Sequence, residues 1–223
     1  MPATYTRTCT RRDEDPPEEV AVNEQEGAER HASHPFRTPW GDGAVTVSEG
    51  LLIGVDLPAG GPSGTAEVCA PRDDEPLGAS RETPVASDRA MEGNADPDKA
   101  TAAAWADALE AYFCGRKLGW TASEVPLEAM GLGRFEERVY RALLSVPPAV
   151  TVSYGTLAEM AGYPRAARAV GNAMAANPIP IVIPCHRVVR SDGTLGRYGK
   201  DPAWKPLLLE HEAEHARQTT TDR

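Results

Sequence analysis

The sequence has few cysteines and no long apolar run. No two of its four cysteines form a Cys-x-x-Cys pair or a zinc-finger spacing; they are Cys9, Cys69, Cys114 and Cys185. The spacing predicts neither a disulfide framework nor a structural metal, and it suits a reducing compartment. No apolar segment approaches the roughly 18 residues of a membrane span, and the first residues lack the apolar core of a signal peptide. We therefore expect a cytoplasmic protein without a membrane anchor.

Positive charge is also scarce, but unevenly so. The chain has 23 Lys and Arg against 33 Asp and Glu, a net charge of -10. Residues 134–205 reverse that balance, because basic residues outnumber acidic ones there by about two to one. A basic module in an acidic chain is typical of a DNA-contacting domain, although a merely solvated face has the same pattern.

The N-terminal half predicts a disordered tail and a small strand-rich domain. Residues 1–35 are acidic and poor in large apolar residues, so folded structure is expected from 36 to 115. Residues 44–48 and 51–57 predict a hairpin. Alternate residues of its second strand should face a core, namely Leu51, Ile53, Val55 and Leu57. Residues 58–98 predict a long loop, and residues 102–113 a helix.

Residues 127–215 predict a second, mainly helical domain, with residues 216–223 as a flexible tail. An apolar stripe ends at Pro147-Pro148; it comprises Phe135, Val139, Leu143 and Val146. Thr156 and Glu159 match a capping box that opens a short helix. A second helix should run from Pro164 to about Ala175. Two helices with a tight turn are typical of the DNA-binding helix-turn-helix, although helical hairpins are common elsewhere.

One segment places a cysteine directly beside a histidine. Residues 181–183 are β-branched and apolar, predicting a short buried strand that Pro184 ends. Cys185 would then lie at a rigid turn, with His186 next to it. A thiolate is a strong nucleophile near neutral pH, and a histidine commonly generates one. An inert buried cysteine is the alternative.

The run Pro184-Cys-His-Arg-Val188, preceded by Asn177-Pro178, resembles the active-site signature of the O6-alkylguanine-DNA alkyltransferases (methylated-DNA–protein-cysteine methyltransferases). The resemblance covers roughly residues 135–212. It implies an α+β fold with a small strand-rich N-terminal domain and a mainly helical C-terminal domain. The latter would carry a winged-helix-like helix-turn-helix and the cysteine. It also implies DNA repair, in which Cys185 irreversibly takes a methyl or small alkyl group from O6-alkylguanine. O4-methylthymine is a second candidate substrate, and neither cofactor nor metal is implied.

The resemblance assigns the chemistry to four residues. Cys185 would be the nucleophile and His186 the base, acting through a water molecule. Glu212 would orient His186, and spacing from Cys185 favours it over its neighbour Glu210. Asn177 would brace the cysteine loop. A solvated glutamate and an ordinary turn asparagine are the alternatives for the last two.

The remaining assignments concern DNA. The implied partner is double-stranded DNA, bound through the minor groove by a monomer that flips the damaged nucleotide. Arg168 would fill the gap in the duplex, and Tyr154 would help rotate the nucleotide. The guanine pocket would be lined by four residues: Tyr198, Val188, Gly199 and Met174. An ordinary surface position is the alternative for Arg168, and packing in the core is the alternative for Tyr154 and Met174.

Two features depart from the family pattern. Where the family often has Gly-Tyr-x-Gly-Gly, this chain has Arg197-Tyr-Gly-Lys-Asp201, which leaves the size of the accepted alkyl group open. Pro206 is awkward inside a helix that begins at Asp201, so the last helix should begin later.

Two other classes of function share some of these features. An alkyltransferase-like protein that only binds damaged bases would lack the cysteine. A cysteine hydrolase is disfavoured because adjacent residues seldom bring a thiol and an imidazole into direct contact. A hydrolase also gives no account of the helix-turn-helix.

Overall fold

The computed structural model describes residues 31–59, 96–196, 198–199 and 201–221. Most of the predicted tail and of the 58–98 loop therefore lies outside the described residues. β1 (His31–Thr38), β2 (Gly41–Ser48) and β3 (Leu51–Asp56) form an antiparallel sheet in that order. α1 (Pro97–Phe113) packs on β1 and β2. We call these four elements the N-terminal unit.

β1 begins at His31, five residues before the expected start of folded structure. Ala32 and Phe36 are buried on its inner side, and the strand pairs with β2 along its whole length. Phe36 packs so closely over Gly43 that a Cβ there would lie 2.3 Å from its ring. Sequence periodicity missed the strand because only two of its eight residues are buried apolar side chains.

The predicted hairpin is present, but β3 does not alternate throughout. Leu52 and Val55 are buried, whereas Ile53 is 39% exposed. Leu52 pairs with Val47 and Gly54 with Thr46, so Ile53 is an extra residue in the ladder. Such a bulge moves the following side chains to the other face. The expectation that Ile53 faces the core is therefore wrong.

α1 begins at Pro97, five residues before the predicted start. The Asp96 side chain caps it by accepting from the Asp98 amide. The Asp98 carboxylate accepts from the amides of Glu49 and Gly50, which fixes the helix to the hairpin turn. The predicted helix is therefore present, and four of its large side chains are buried: Trp105, Leu109, Tyr112 and Phe113.

The rest of the described chain is mainly helical. It contains α2 (Arg134–Leu144), α3 (Tyr154–Met160), α4 (Ala167–Ala175) and α5 (Trp204–Thr221). Two short strands, β4 (Val152–Ser153) and β5 (Val188–Val189), pair in parallel. α3 and α4 pack on each other and on α2, which is the predicted helix-turn-helix arrangement. The α+β fold is confirmed.

Two predicted helix boundaries differ in detail, and a third is as expected. Ser153, not Thr156, caps α3, because its hydroxyl accepts from the Thr156 amide at 3.0 Å; the predicted capping box is wrong. α4 begins at Ala167 rather than Pro164. α5 begins at Trp204, later than Asp201 as expected. Pro206 lies in its first turn, where an amide hydrogen has no intrahelical partner.

The cysteines do not all remain free. Cys114, at the end of α1, is disulfide-bonded, so the expectation of free thiols is wrong for this residue. Sequence spacing could not reveal this, since it says nothing of distances in the fold. Cys185 is a buried free thiol.

None of the helices in the described part of the chain is long and apolar enough to cross a membrane.

Candidate active site

The segment before Cys185 is a compact turn rather than the predicted strand. Ile181 has a φ of 74°, a conformation that is costly for a β-branched residue and that interrupts strand geometry. The Ile183 amide donates to the Ile179 carbonyl at 3.0 Å, and the Cys185 amide to the Ile183 carbonyl at 2.8 Å. All these side chains are buried. Cys185 therefore does lie at a rigid turn, which continues as a 3₁₀ helix from Cys185 to Arg187.

Asn177 links this turn to the thiol. Its Nδ2 donates to Cys185 Sγ at 3.1 Å and to the Ile183 carbonyl at 2.9 Å, and its Oδ1 accepts from the Ile179 amide. Burial raises the pKa of Cys185, and the bond from Asn177 opposes that shift by favouring the thiolate. Cys185 is thus a neutral thiol before reaction, and Asn177 is already placed to donate a hydrogen bond to its thiolate.

His186 and Glu212 form a fully buried pair. Nε2 of His186 lies 2.8 Å from Oε1 of Glu212. A carboxylate only accepts, so Nε2 carries the hydrogen and Nδ1 is the basic nitrogen of the neutral ring. Nδ1 is buried and has no hydrogen-bond partner among the described residues. Burial lowers the pKa of His186, which keeps the ring neutral and able to accept a proton.

The Glu212 carboxylate is held by more groups than the sequence predicted. Arg187 donates to it through Nε and Nη2, the latter at 2.8 Å from Oε1. The Tyr112 hydroxyl donates to the same oxygen at 3.0 Å, and the Ala149 amide to Oε2 at 2.9 Å. Burial alone would raise the pKa of Glu212, but bonds from His186 and Arg187 lower it to about 2. The carboxylate is therefore ionised at neutral pH.

Arg187 and Tyr112 were both missed by sequence reasoning. A charged residue within the apolar run from Ile181 to Val189 was a visible signal for Arg187, because a buried arginine needs an anionic partner. Arg187 also donates to the carbonyls of Val146 and Leu118. Tyr112 gave no such signal, since a buried tyrosine on an amphipathic helix fits an ordinary core.

Two tyrosines lie near the thiol. Tyr198 is buried, with its ring centroid 6.5 Å from that of His186. Its hydroxyl has no partner of ordinary geometry among the described residues, yet it lies close enough to Cys185 to help lower the thiol pKa. Tyr154 is half-buried, and burial followed by the nearby Cys185 raises its pKa. Gly196 lies against the Tyr154 hydroxyl, where a Cβ would come within 2.6 Å.

Lys205 is a further neighbour that the sequence did not reveal. It is buried, donates through Nζ to the Val188 carbonyl, and lies 5.9 Å from the Tyr154 ring centroid. Its positive charge lowers the pKa of Cys185. It therefore favours the thiolate and fixes the backbone of the expected guanine pocket.

The remaining predicted residues lie around this network. Val188 is fully buried in β5, and Gly199 is exposed with a φ of 42°. Met174 is half-buried on α4 and packs on the core. Arg168 is exposed on α4, with alanines on both sides.

Part of the chain matches a known protein family and several named proteins. Residues 134–214 match the model of the 6-O-methylguanine DNA methyltransferase DNA-binding domain. The methylated-DNA–protein-cysteine methyltransferase of Mycobacterium bovis is 43% identical over 120 residues, which are 54% of this chain and 70% of the relative. That of Mus musculus is 49% identical over 111 residues, 47% of this chain and 51% of the relative.

Solved structures agree with these relatives. The crystal structure of Mycobacterium tuberculosis OGT in complex with DNA is similar over 82% of this chain and 93% of that one, with a TM-score of 0.55 and 29% identity. The O6-methylguanine-DNA methyltransferase of Pyrococcus kodakaraensis is similar with a TM-score of 0.51 and 26% identity, over 82% of this chain and 99% of that one. Because a named relative is 43% identical over most of its length, this chain belongs to the methylated-DNA–protein-cysteine methyltransferase family.

Proposed function

We propose that this chain repairs DNA by transferring a methyl or small alkyl group from O6-alkylguanine to Cys185, once per molecule. The observation that carries the proposal is a free thiol that accepts a hydrogen bond from Asn177, with the buried His186–Glu212 pair next to it in the chain. The names of the relatives fit this activity, and one similar structure was solved with DNA.

Proton transfer comes first in this mechanism. His186 Nδ1 takes the thiol proton through a bridging water, since adjacent residues do not bring these atoms into direct contact. The ionised Glu212 stabilises the imidazolium that forms. Asn177 and Lys205 stabilise the thiolate, because each opposes the rise that burial causes in the pKa of the Cys185 thiol.

Alkyl transfer follows. Sγ attacks the alkyl carbon in line, the S–C bond forms, and the C–O6 bond breaks with its electron pair on guanine. The base regains a proton and leaves as ordinary guanine. The donor is the damaged base itself, so the reaction needs no cofactor. The thioether is a poor leaving group, which makes the transfer irreversible.

The DNA would be bound through the minor groove by a monomer, with α3 and α4 against the duplex. Arg168 would occupy the place of the flipped nucleotide, and Tyr154 would contact the base. The exposed arginine between small alanines supports this role, because small side chains permit close approach of a helix to DNA. The guanine would lie among Tyr198, Val188, Gly199 and Met174. Residues 127–215 would form the domain that binds DNA and transfers the alkyl group.

Mass analysis of the wild-type protein tests the reaction. After incubation with a duplex containing one O6-methylguanine, the peptide that contains Cys185 should gain one methyl group. The extent should saturate at about one methyl per molecule. Tight binding without an adduct would indicate a damage-binding protein instead. Repeated turnover, or an adduct on another cysteine, would also contradict the proposal.

Arg168→Ala is expected to separate flipping from chemistry. Unstacking a base costs free energy in a duplex and none for a free base. The variant should therefore slow repair of the duplex by about ten-fold or more, while barely changing the reaction with free O6-methylguanine. The measurement is the pair of second-order rate constants. Arg116→Ala, which removes an exposed arginine after α1, is the matched control. Equal slowing of both substrates by Arg168→Ala would contradict the role.

A further inference from the structure

We propose that Tyr112 is a positioning residue for alkyl transfer: from α1 of the N-terminal unit, its hydroxyl holds the Glu212 oxygen that binds His186. This inference rests on the proposed function, because it assigns His186 the role of base. It gives the N-terminal unit a part in the chemistry of the active site.

The geometry is specific. Oε1 of Glu212 accepts from the Tyr112 hydroxyl at 3.0 Å, from His186 Nε2 at 2.8 Å and from Arg187 Nη2 at 2.8 Å, so Tyr112 and His186 share one oxygen with the arginine. Tyr112 and Glu212 are fully buried and stand 100 residues apart in the chain. Neither donor competes with water for this oxygen. Movement of the hydroxyl would therefore move the acceptor that sets the orientation of the imidazole.

The position of the hydroxyl is fixed from several sides. The Tyr112 ring packs edge-on against Phe113 at 5.3 Å and stacks on Trp120 at 6.0 Å. Its backbone carbonyl accepts from Nε2 of His211, which is on the same helix as Glu212. α1 and α5 are thus joined by two hydrogen bonds through one tyrosine. The packing holds the ring whether or not the hydroxyl is present.

The hydroxyl also affects how basic His186 is. A donor to Oε1 reduces the negative charge that this oxygen presents to the imidazolium, so removing it makes protonation of His186 more favourable. The other charged or titratable groups around this pair are Arg187, Cys185, Lys205, Tyr198 and His211. Arg187 and Lys205 oppose protonation of His186. At low pH the rate falls as His186 becomes protonated, which is the acid limb of the pH–rate profile. Loss of the Tyr112 hydroxyl should therefore move the midpoint of this limb to higher pH.

The test compares Tyr112→Phe with Tyr140→Phe in the full chain. Tyr140 is also buried near the thiol, but its hydroxyl donates to the Ala173 carbonyl at 2.7 Å. Second-order rate constants for free O6-methylguanine and for alkylated duplex are measured from pH 5 to 9. Tyr112→Phe should slow both substrates about three- to ten-fold at the lower pH values. It should raise the midpoint of the acid limb by roughly half a unit to one unit, the worth of one hydrogen bond. Tyr140→Phe should leave the midpoint unchanged.

A double-variant cycle excludes a general structural effect. In a Glu212→Gln background, Tyr112→Phe should lose most of its effect on rate, because the oxygen that it positions is no longer a carboxylate. Additive effects, or an unmoved midpoint in Tyr112→Phe, would overturn the inference and leave alkyl transfer intact. In parallel, the rate at which iodoacetamide alkylates Cys185 is measured as a function of pH. It reports the same midpoint shift even if no alkyl group is transferred, so failure of the proposed function is recognised separately.

Discussion

Replacing Cys185 by alanine is expected to abolish alkyl transfer and to preserve binding of alkylated duplex. The sulfur forms the new bond, and no other atom of the turn can replace it as a soft nucleophile. The turn should survive, because Asn177 keeps its bonds to the Ile183 carbonyl and the Ile179 amide. The measurement combines retention of a labelled methyl group on the protein with a binding isotherm for duplex containing O6-methylguanine.

The control for this prediction is Cys185→Ser. Serine keeps a hydrogen-bonding group for Asn177 to donate to, but a hydroxyl is a far weaker nucleophile than a thiol under these conditions. Both variants should bind alkylated duplex about as tightly as the wild type. Methyl label retained by Cys185→Ala would show that another residue accepts the alkyl group.

Glu212→Gln is expected to have two large effects, one on rate and one on stability. Loss of the carboxylate removes the group that stabilises the His186 imidazolium, so transfer should slow by about a hundred-fold or more. The rates with free O6-methylguanine and with duplex should fall by the same factor, because the step concerned is thiolate formation. The change also leaves Arg187 as a buried charge without its partner, and removal of one member of such a pair costs about 3–5 kcal/mol.

A double variant separates these two effects. Arg187→Met in the Glu212→Gln background removes the unpaired charge and fills a similar volume, so it should recover much of the lost free energy of unfolding. The rate should remain low, because no carboxylate has been restored. Recovery of both stability and rate would show that Glu212 only supports the fold.

The stability difference between wild type and Glu212→Gln should also depend on pH. The pKa of Glu212 in the folded chain is about 2, well below that of an unfolded glutamate at about 4.3. A depressed pKa means that the ionised group stabilises the fold fully above about 4.3 and loses this contribution as the pH falls through 2. The difference in free energy of unfolding should therefore narrow between these two values.

Much of the candidate site was already visible in local sequence patterns. The cysteine and histidine are adjacent, and the hydrogen bonds of Asn177 span only two to eight residues. The helix-turn-helix follows from apolar spacing within short segments. Glu212, which the spacing from Cys185 favours over the exposed Glu210, is the glutamate that bonds His186. The boundaries were less accurate, because Ser153 competes with Thr156 as a cap.

The turn before Cys185 shows where local patterns fail. A β-branched apolar run normally predicts a strand, but Ile181 adopts a positive φ in this chain. The side chains of Ile181, Val182 and Ile183 are all buried, and their burial stabilises that conformation. Such burial depends on the whole fold. The extra residue in β3, Ile53, also depends on contacts between elements, because the pairing register with β2 decides which side chains point inward.

The sequence by itself therefore determined which residues are the candidate nucleophile and base, the family to compare and the helices expected to meet DNA. These depend on residues close together in the chain, whose geometry the backbone limits. Only the tertiary structure decided what surrounds Glu212. Tyr112 and Arg187 reach it across 100 and 25 residues, and Lys205 reaches Val188 across 17. Long-range contacts of this kind have no local pattern, because each arises only when separate elements pack and leave a buried charge that must be paired.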